Sequence, residues 1–216
     1  MVDNPSPDLE AVRRIVEQIA RGLRAFHRLE MLHRDLRPEN VLLDETGTVK
    51  IIDFGSVQVA GIAETAGGED ATPVPGAIQY TAPEYFLGEG GTEASDQFSL
   101  GVITYQMLTG HLPYGAEMAR ARTRRQQRAA RYRPVLDGER ELPAWIDGAL
   151  RKAVHPDPVK RYEDLWDFVT DLRQPNETFL RTARAPLIER NPLLFWKMLS
   201  LVLGLAVVAL VAARHL

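Results

Sequence analysis

Asp35 and Asp53 stand on either side of two short β-type runs, Val41-Leu42-Leu43 and Val49-Lys50-Ile51-Ile52, with the turn sequence Asp44-Glu45-Thr46-Gly47 between them. A hairpin returns the chain to within about 5 Å of where it set out. The loop ahead of it, His33-Arg34-Asp35-Leu36-Arg37-Pro38-Glu39-Asn40, must therefore meet the residues that follow it, Asp53-Phe54-Gly55. The chain leading into that loop is helical. Ser6-Pro7-Asp8 supplies a capping side chain and a proline tolerated in a first turn, and Asp8 and Glu10 place carboxylates at the positive helix end. Val12, Val16, Ile19, Leu23 and Phe26 then recur at three- and four-residue intervals, one stripe of a helix running to about Leu29.

Beyond the hairpin the pattern changes twice. Residues 56–76 are rich in Gly, Ala, Thr, Glu and Pro without periodicity, which predicts a loop. Residues 94–109 are apolar with helical spacing and stop at Gly110, which predicts a buried helix. Residues 142–154 and 161–172 read as two further amphipathic helices, and 174–191, which mixes proline with Arg181, Arg184 and Arg190, reads as a linker. A 45% hydrophobic share is enough to fill a core, and a net charge of −3 gives no reason to expect nucleic-acid binding. With no cysteine among the 216 residues, disulfides, cysteine-ligated zinc and thiol chemistry are excluded. The first twenty residues are polar and acidic, without the apolar core of a signal peptide.

Phosphoryl transfer from a nucleotide needs a carboxylate near the acceptor hydroxyl and oxygen ligands for a magnesium ion that neutralises the phosphates. Asp35 suits the first task, and Asn40 and Asp53 the second. Any one of these residues alone is more simply a turn or cap. Together, His-Arg-Asp with an Asn five residues on and Asp-Phe-Gly after a hairpin resemble the catalytic loop and metal-binding motif of eukaryotic-like (Hanks-type) Ser/Thr protein kinases. Further residues stand in register with that family. Ala82-Pro83-Glu84 resembles the motif that closes the activation segment. Asp96 resembles the buried aspartate that holds the loop backbone, and Arg161 the arginine that pairs with Glu84.

The resemblance covers about residues 8–173 and implies ATP and Mg2+ as cofactors and proteins as substrates. It gives Asp35 and Arg37 catalytic roles, makes Asn40 and Asp53 the metal ligands, and puts Leu42 under the adenine. His33 and Phe54 would stack in an internal hydrophobic column, with Gly55 completing the motif, and Arg34 would pair with a phosphate on Thr65 or Thr72 of the loop. Two positions depart from the family. Arg37 replaces the usual lysine, and its planar fork is not equivalent to a compact ammonium; Ala77 replaces a threonine that steadies the aspartate.

Within the resemblance, the implied fold is a mainly α kinase C-lobe, α+β through its small β-hairpin, over residues 1–174. Residues 175–192 are a juxtamembrane linker and residues 193–213 one C-terminal transmembrane helix. The N-lobe is read as absent, since the first lysine is Lys50 and the one glycine before the loop is Gly22. On that reading the chain is a truncated kinase, inactive until extended upstream; the alternative is a catalytically dead, membrane-tethered binding module. Leu193 to Ala213 carries a single charge, Lys197, and at 1.5 Å per residue extends about 31 Å, a bilayer core. Trp196 suits the interface, and Arg181, Arg184, Arg190 and Lys197 on its N-terminal side put the lobe in the cytoplasm. A lobe with one terminal span resembles bacterial membrane-anchored kinases. Residues 51–57 and 191–197 are most similar to bacterial proteins that fuse a phosphatase domain ahead of the kinase, which adds an upstream N-lobe and a phosphatase domain as partners. Seven arginines fall between Arg120 and Arg133; they read as a solvated helix and loop, or as a contact for acidic substrates or anionic membrane lipid.

Overall fold

The computed structural model describes residues 7–53, 58–59, 77–137, 142–184 and 196–203. Helix α1 (Leu9–His27) is capped by Asp8, whose carboxylate accepts from the Ala11 amide at 2.6 Å. The cap is thus one of the residues read as a first-turn acid, and Ser6 lies outside the described residues. The apolar stripe of α1 is buried as its spacing requires, with Val16, Ile19, Ala20 and Leu23 fully enclosed. At about 1.5–3 kcal/mol for each large aliphatic side chain, this stripe is what fixes α1 against its neighbours. It lies between α2 (Glu93–Thr109) and α6 (Leu165–Arg173).

Strand β1 (Met31–Leu32) follows α1 and pairs antiparallel with β4 (Gln58–Val59), a two-residue ladder with no periodicity in the sequence. The hairpin consists of β2 (Val41–Leu43) and β3 (Val49–Ile51), in register Val41↔Ile51, Leu42↔Lys50 and Leu43↔Val49. Its turn is held by Asp44, whose Oδ1 accepts from the Thr46 and Thr48 amides and the Thr46 hydroxyl. Gly47 sits at φ 82°, a left-handed conformation that a residue without Cβ adopts at little cost. Gln18 of α1 clasps the hairpin, donating to Gly47 O and accepting from the Val49 amide, both at 3.0 Å.

Helix α2 is the centre of the molecule and is buried along nearly its whole length. Thr92 and Ser95 form a reciprocal capping box at its start, and Gly110 at φ 73° ends it. Gly101 lets α5 (Ala144–Ala153) approach: a Cβ there would stand 2.8 Å from Val154 Cγ1 and 3.1 Å from Ala153 Cβ. Between α2 and α5 run two short helices, α3 (Glu117–Arg120) and α4 (Arg124–Ala129).

Two expectations are corrected here. Part of the stretch read as linker is helix α7 (Glu177–Arg184), which packs on α5 by laying Phe179 against Gly148. Among the described residues the expected C-terminal transmembrane helix is not found. Of residues 193–213 only 196–203 are described, an exposed apolar helix of about 12 Å against a bilayer core of about 30 Å. Among the described residues no helix is long and apolar enough to cross a membrane.

Candidate active site

The loop between β1 and β2 hangs from one carboxylate. Asp96, in the first turn of α2 and 1% exposed, accepts from the His33 amide through Oδ2 and from the Arg34 amide through Oδ1, both at 2.9 Å. His27, at the end of α1, approaches the same Oδ2 with Nε2 at 2.9 Å. Three elements therefore meet on Asp96, and the loop cannot move without leaving a buried charge short of partners. Arg34 has φ 68°, a conformation costing a side chain of this size roughly 1–3 kcal/mol, and the two amide bonds are what hold it there.

Asp35 is fixed from the other side. Asn40, 6% exposed, donates its side-chain amide to Asp35 O at 2.8 Å and to Asp35 Oδ2 at 3.1 Å. The Asn40 carbonyl also accepts from the Ile52 amide at 2.9 Å, closing the hairpin and setting Asp53 one residue beyond. Asp53 has φ 63° and an exposed side chain. Among the described residues the non-glycine positions at positive φ are Glu30, Arg34 and Asp53, so two of the three bracket the hairpin and its loop. Strain gathered at one place is a common mark of a functional site.

Arg37 turns its Nε to Glu39 Oε2 at 2.8 Å; that hydrogen bond holds the guanidinium pKa above its ordinary value and the Glu39 carboxyl below its own. Leu42 lies half-exposed on the hairpin. His33 is fully buried, its ring 6.4 Å from that of Phe26. Phe54, Gly55, Thr65 and Thr72 lie outside the described residues.

Glu84 and Arg161 form a second anchor. The guanidinium grips the carboxylate with two bonds of 2.8 and 2.7 Å, Ser95 Oγ donates to the same carboxylate at 2.7 Å, and both charged residues are at most 4% exposed. Arg161 also donates to His155 O and Ala94 O, and lies over the Phe98 ring at 4.8 Å. Burial alone pushes the Glu84 carboxyl up, but the Arg161 bonds and charge, with Ser95, outweigh it and hold the pKa below the usual 4.5. A depressed folded pKa stabilises the fold above the unfolded value, and that contribution is lost as pH falls through the folded value. Stability measured by urea unfolding should therefore decline below about pH 4.5, and Glu84→Gln, less stable throughout, should show a shallower decline. Equal slopes in both proteins would place the acid sensitivity elsewhere.

His27, Ser95 and Gln127 brace the site and belong to none of the motifs named above. His27 had a signal, a polar residue four positions after Leu23 on the buried stripe of α1. Gln127, 1% exposed, donates to Pro83 O at 2.7 Å and ties α4 to the turn Pro83–Leu87; nothing in the local sequence marks it.

Among the described residues no three His, Cys, Asp or Glu side chains converge on a metal. Asn40 and Asp53 offer two oxygen donors in place of a closed cage. That suits magnesium, which binds through one or two protein ligands and completes its shell with phosphate and water.

A family model described as "Protein kinase domain" matches residues 4–175. The match runs over residues 4–175 and corrects the expectation of a C-lobe alone with its N-lobe absent. The chain is 34% identical over 165 residues to the serine/threonine-protein kinase PknL of Mycobacterium tuberculosis, covering 75% of this chain and 40% of that protein. It is 34% identical over 155 residues to PknA of Corynebacterium glutamicum, covering 69% and 30%. Against PrkC of Bacillus subtilis the identity is 29% over 164 residues, covering 74% and 24%. The chain thus spans between 24% and 40% of the length of these relatives.

Proposed function

The chain belongs to the protein kinase domain family, and from that premise we propose that it transfers the terminal phosphate of ATP to serine and threonine hydroxyls of protein substrates. The observation that carries the reading is the Asp35–Asn40–Asp53 constellation, pinned to α2 through Asp96. Asp35 orients the acceptor hydroxyl and takes its proton. Asn40 and Asp53 hold magnesium, which when bound neutralises charge on the phosphates. Arg37, its Nε spent on Glu39, turns its remaining N–H groups to the phosphoryl oxygens. Leu42 lies under the adenine, and phosphate on Thr65 or Thr72 pairs with Arg34. The named serine/threonine kinases among the relatives support the choice of acceptor.

One observation favours a second reading, a binding module without transfer. Lys50 is exposed on the hairpin and paired with Asp44 at 3.6 Å, which places it in a surface ion pair and not at a nucleotide phosphate. Magnesium dependence separates the two readings. Transfer of radiolabelled phosphate to protein serine and threonine should require Mg2+ and fall on the order of 100-fold in Asp53→Asn, since a bound metal contributes several kcal/mol to charge stabilisation. Complete absence of transfer with retained binding of protein partners decides for the second reading.

A further inference from the structure

Residues 118–136 contain seven arginines and no aspartate or glutamate. A solvated face normally mixes charge signs, whereas among the described residues the carboxylates that meet these seven arginines are two, Glu117 accepting from the Arg131 amide at 3.1 Å and Glu89 pairing with Arg124. Here Arg124, Arg125 and Arg128 sit on the six-residue helix α4 at spacings of three and four, where like charges repel at about 0.2–0.5 kcal/mol per pair. Arg124 is answered by Glu89 at 2.7 Å. Among the described residues Arg120, Arg122, Arg125, Arg128, Arg131 and Arg133 are exposed and make no ion pair. The fold spends stability to display them.

The surface is also held rigidly, and held close to Asp35. Gln127 fastens α4 to Pro83 O, and Thr123 caps the helix by accepting from the Gln126 amide. Arg122 lies over the Phe86 ring at 4.6 Å with its Nη1 donating to Ala119 O. Pro83 and Phe86 belong to the turn Pro83–Leu87, whose Tyr85 ring lies 5.8 Å beneath the Arg34 guanidinium, one residue from Asp35. An unbroken run of contacts thus joins the arginines to the loop.

We propose that the arginine surface of Arg120, Arg122, α4 and residues 131–133 docks an acidic segment of the protein substrate, a reading that rests on the kinase function above. Carboxylates match the planar fork of arginine with paired hydrogen bonds. The connection to Arg34 makes the substrate itself the natural source of those carboxylates, since one molecule then carries both the acidic segment and the acceptor hydroxyl. With a net charge of −3 the protein has no general attraction for polyanions, so the preference is local to this face.

The test is fluorescence anisotropy of the purified protein with a labelled serine-containing peptide bearing a run of glutamates, against the same peptide with glutamines. The acidic peptide should bind on the order of tenfold more tightly at low salt, with the margin shrinking as salt screens it. Arg125→Glu/Arg128→Glu, exposed and outside the loop, should abolish the preference while leaving binding of the glutamine peptide unchanged. Arg125→Gln/Arg128→Gln should reduce it. Equal binding of the two peptides, a preference that survives charge reversal, or tighter binding to anionic phosphatidylserine vesicles or duplex DNA than to the acidic peptide each overturns the proposal. Phosphate transfer to the glutamine peptide is measured separately. Its absence counts against the kinase reading alone, because the binding comparison still decides the docking surface.

Discussion

Replacing Arg161 with methionine is expected to lower the stability of the fold by about 3–5 kcal/mol, the range for breaking a buried ion pair from one side. The size follows from what is left behind. Glu84, 2% exposed, loses two bonds of 2.8 and 2.7 Å and the charge that offsets its burial, with the Ser95 hydroxyl left as its side-chain partner. The carbonyls of His155 and Ala94 lose a donor as well, and Phe98 loses the cation above its ring. Removing both charges with Arg161→Met/Glu84→Met should recover part of the loss, since no carboxylate is then stranded. It should not recover all of it, because the loop carbonyls of His155 and Pro156 remain without the donor that Arg161 supplied. Urea unfolding of wild type, both single variants and the double variant measures the coupling. A loss below about 1 kcal/mol in Arg161→Met would show that water reaches Glu84 and that the anchor is weaker than its geometry implies.

Much of this framework is legible in the sequence. The three- and four-residue spacing of Val12 to Leu23 defines α1, the short β-type runs around Asp44 to Gly47 define the hairpin, and Gly110 ends α2, because each signal is local. What escaped the sequence depends on contacts distant along the chain. The β1–β4 ladder is two residues long on each side, too short for a period to show. Helix α7 was hidden among prolines and arginines and exists where Phe179 finds the bare backbone of Gly148; the Asn176 side chain accepting from the Thr178 amide was its one local sign. In the site, the residue types of the loop pointed to phosphoryl transfer directly. Asp96, Glu84 and Arg161 were found through family resemblance, since no spacing rule links residues 63 or 77 positions apart. Of the apolar tail, whose long hydrophobic run predicts a membrane span, eight residues are described, an exposed helix of about 12 Å that is too short to cross a bilayer.

The largest effect on activity is expected from Asp35→Asn. The change is nearly isosteric, and the new side-chain oxygen can still accept from Asn40 Nδ2, as Asp35 Oδ2 does at 3.1 Å. The backbone bond from Asn40 to Asp35 O and the Asp96 contacts to His33 and Arg34 are untouched. The variant should therefore fold as wild type does and differ in one property, a carboxylate able to accept a proton. General-base groups contribute about 10²–10⁴-fold, and that is the loss expected. The measurement that tests the central claim most directly is the rate of radiolabelled phosphate transfer from MgATP to protein serine and threonine, wild type against Asp35→Asn, with thermal unfolding recorded for both. The account predicts transfer by wild type, a fall of at least 100-fold in the variant and matching unfolding curves; equal transfer by the two proteins would contradict it.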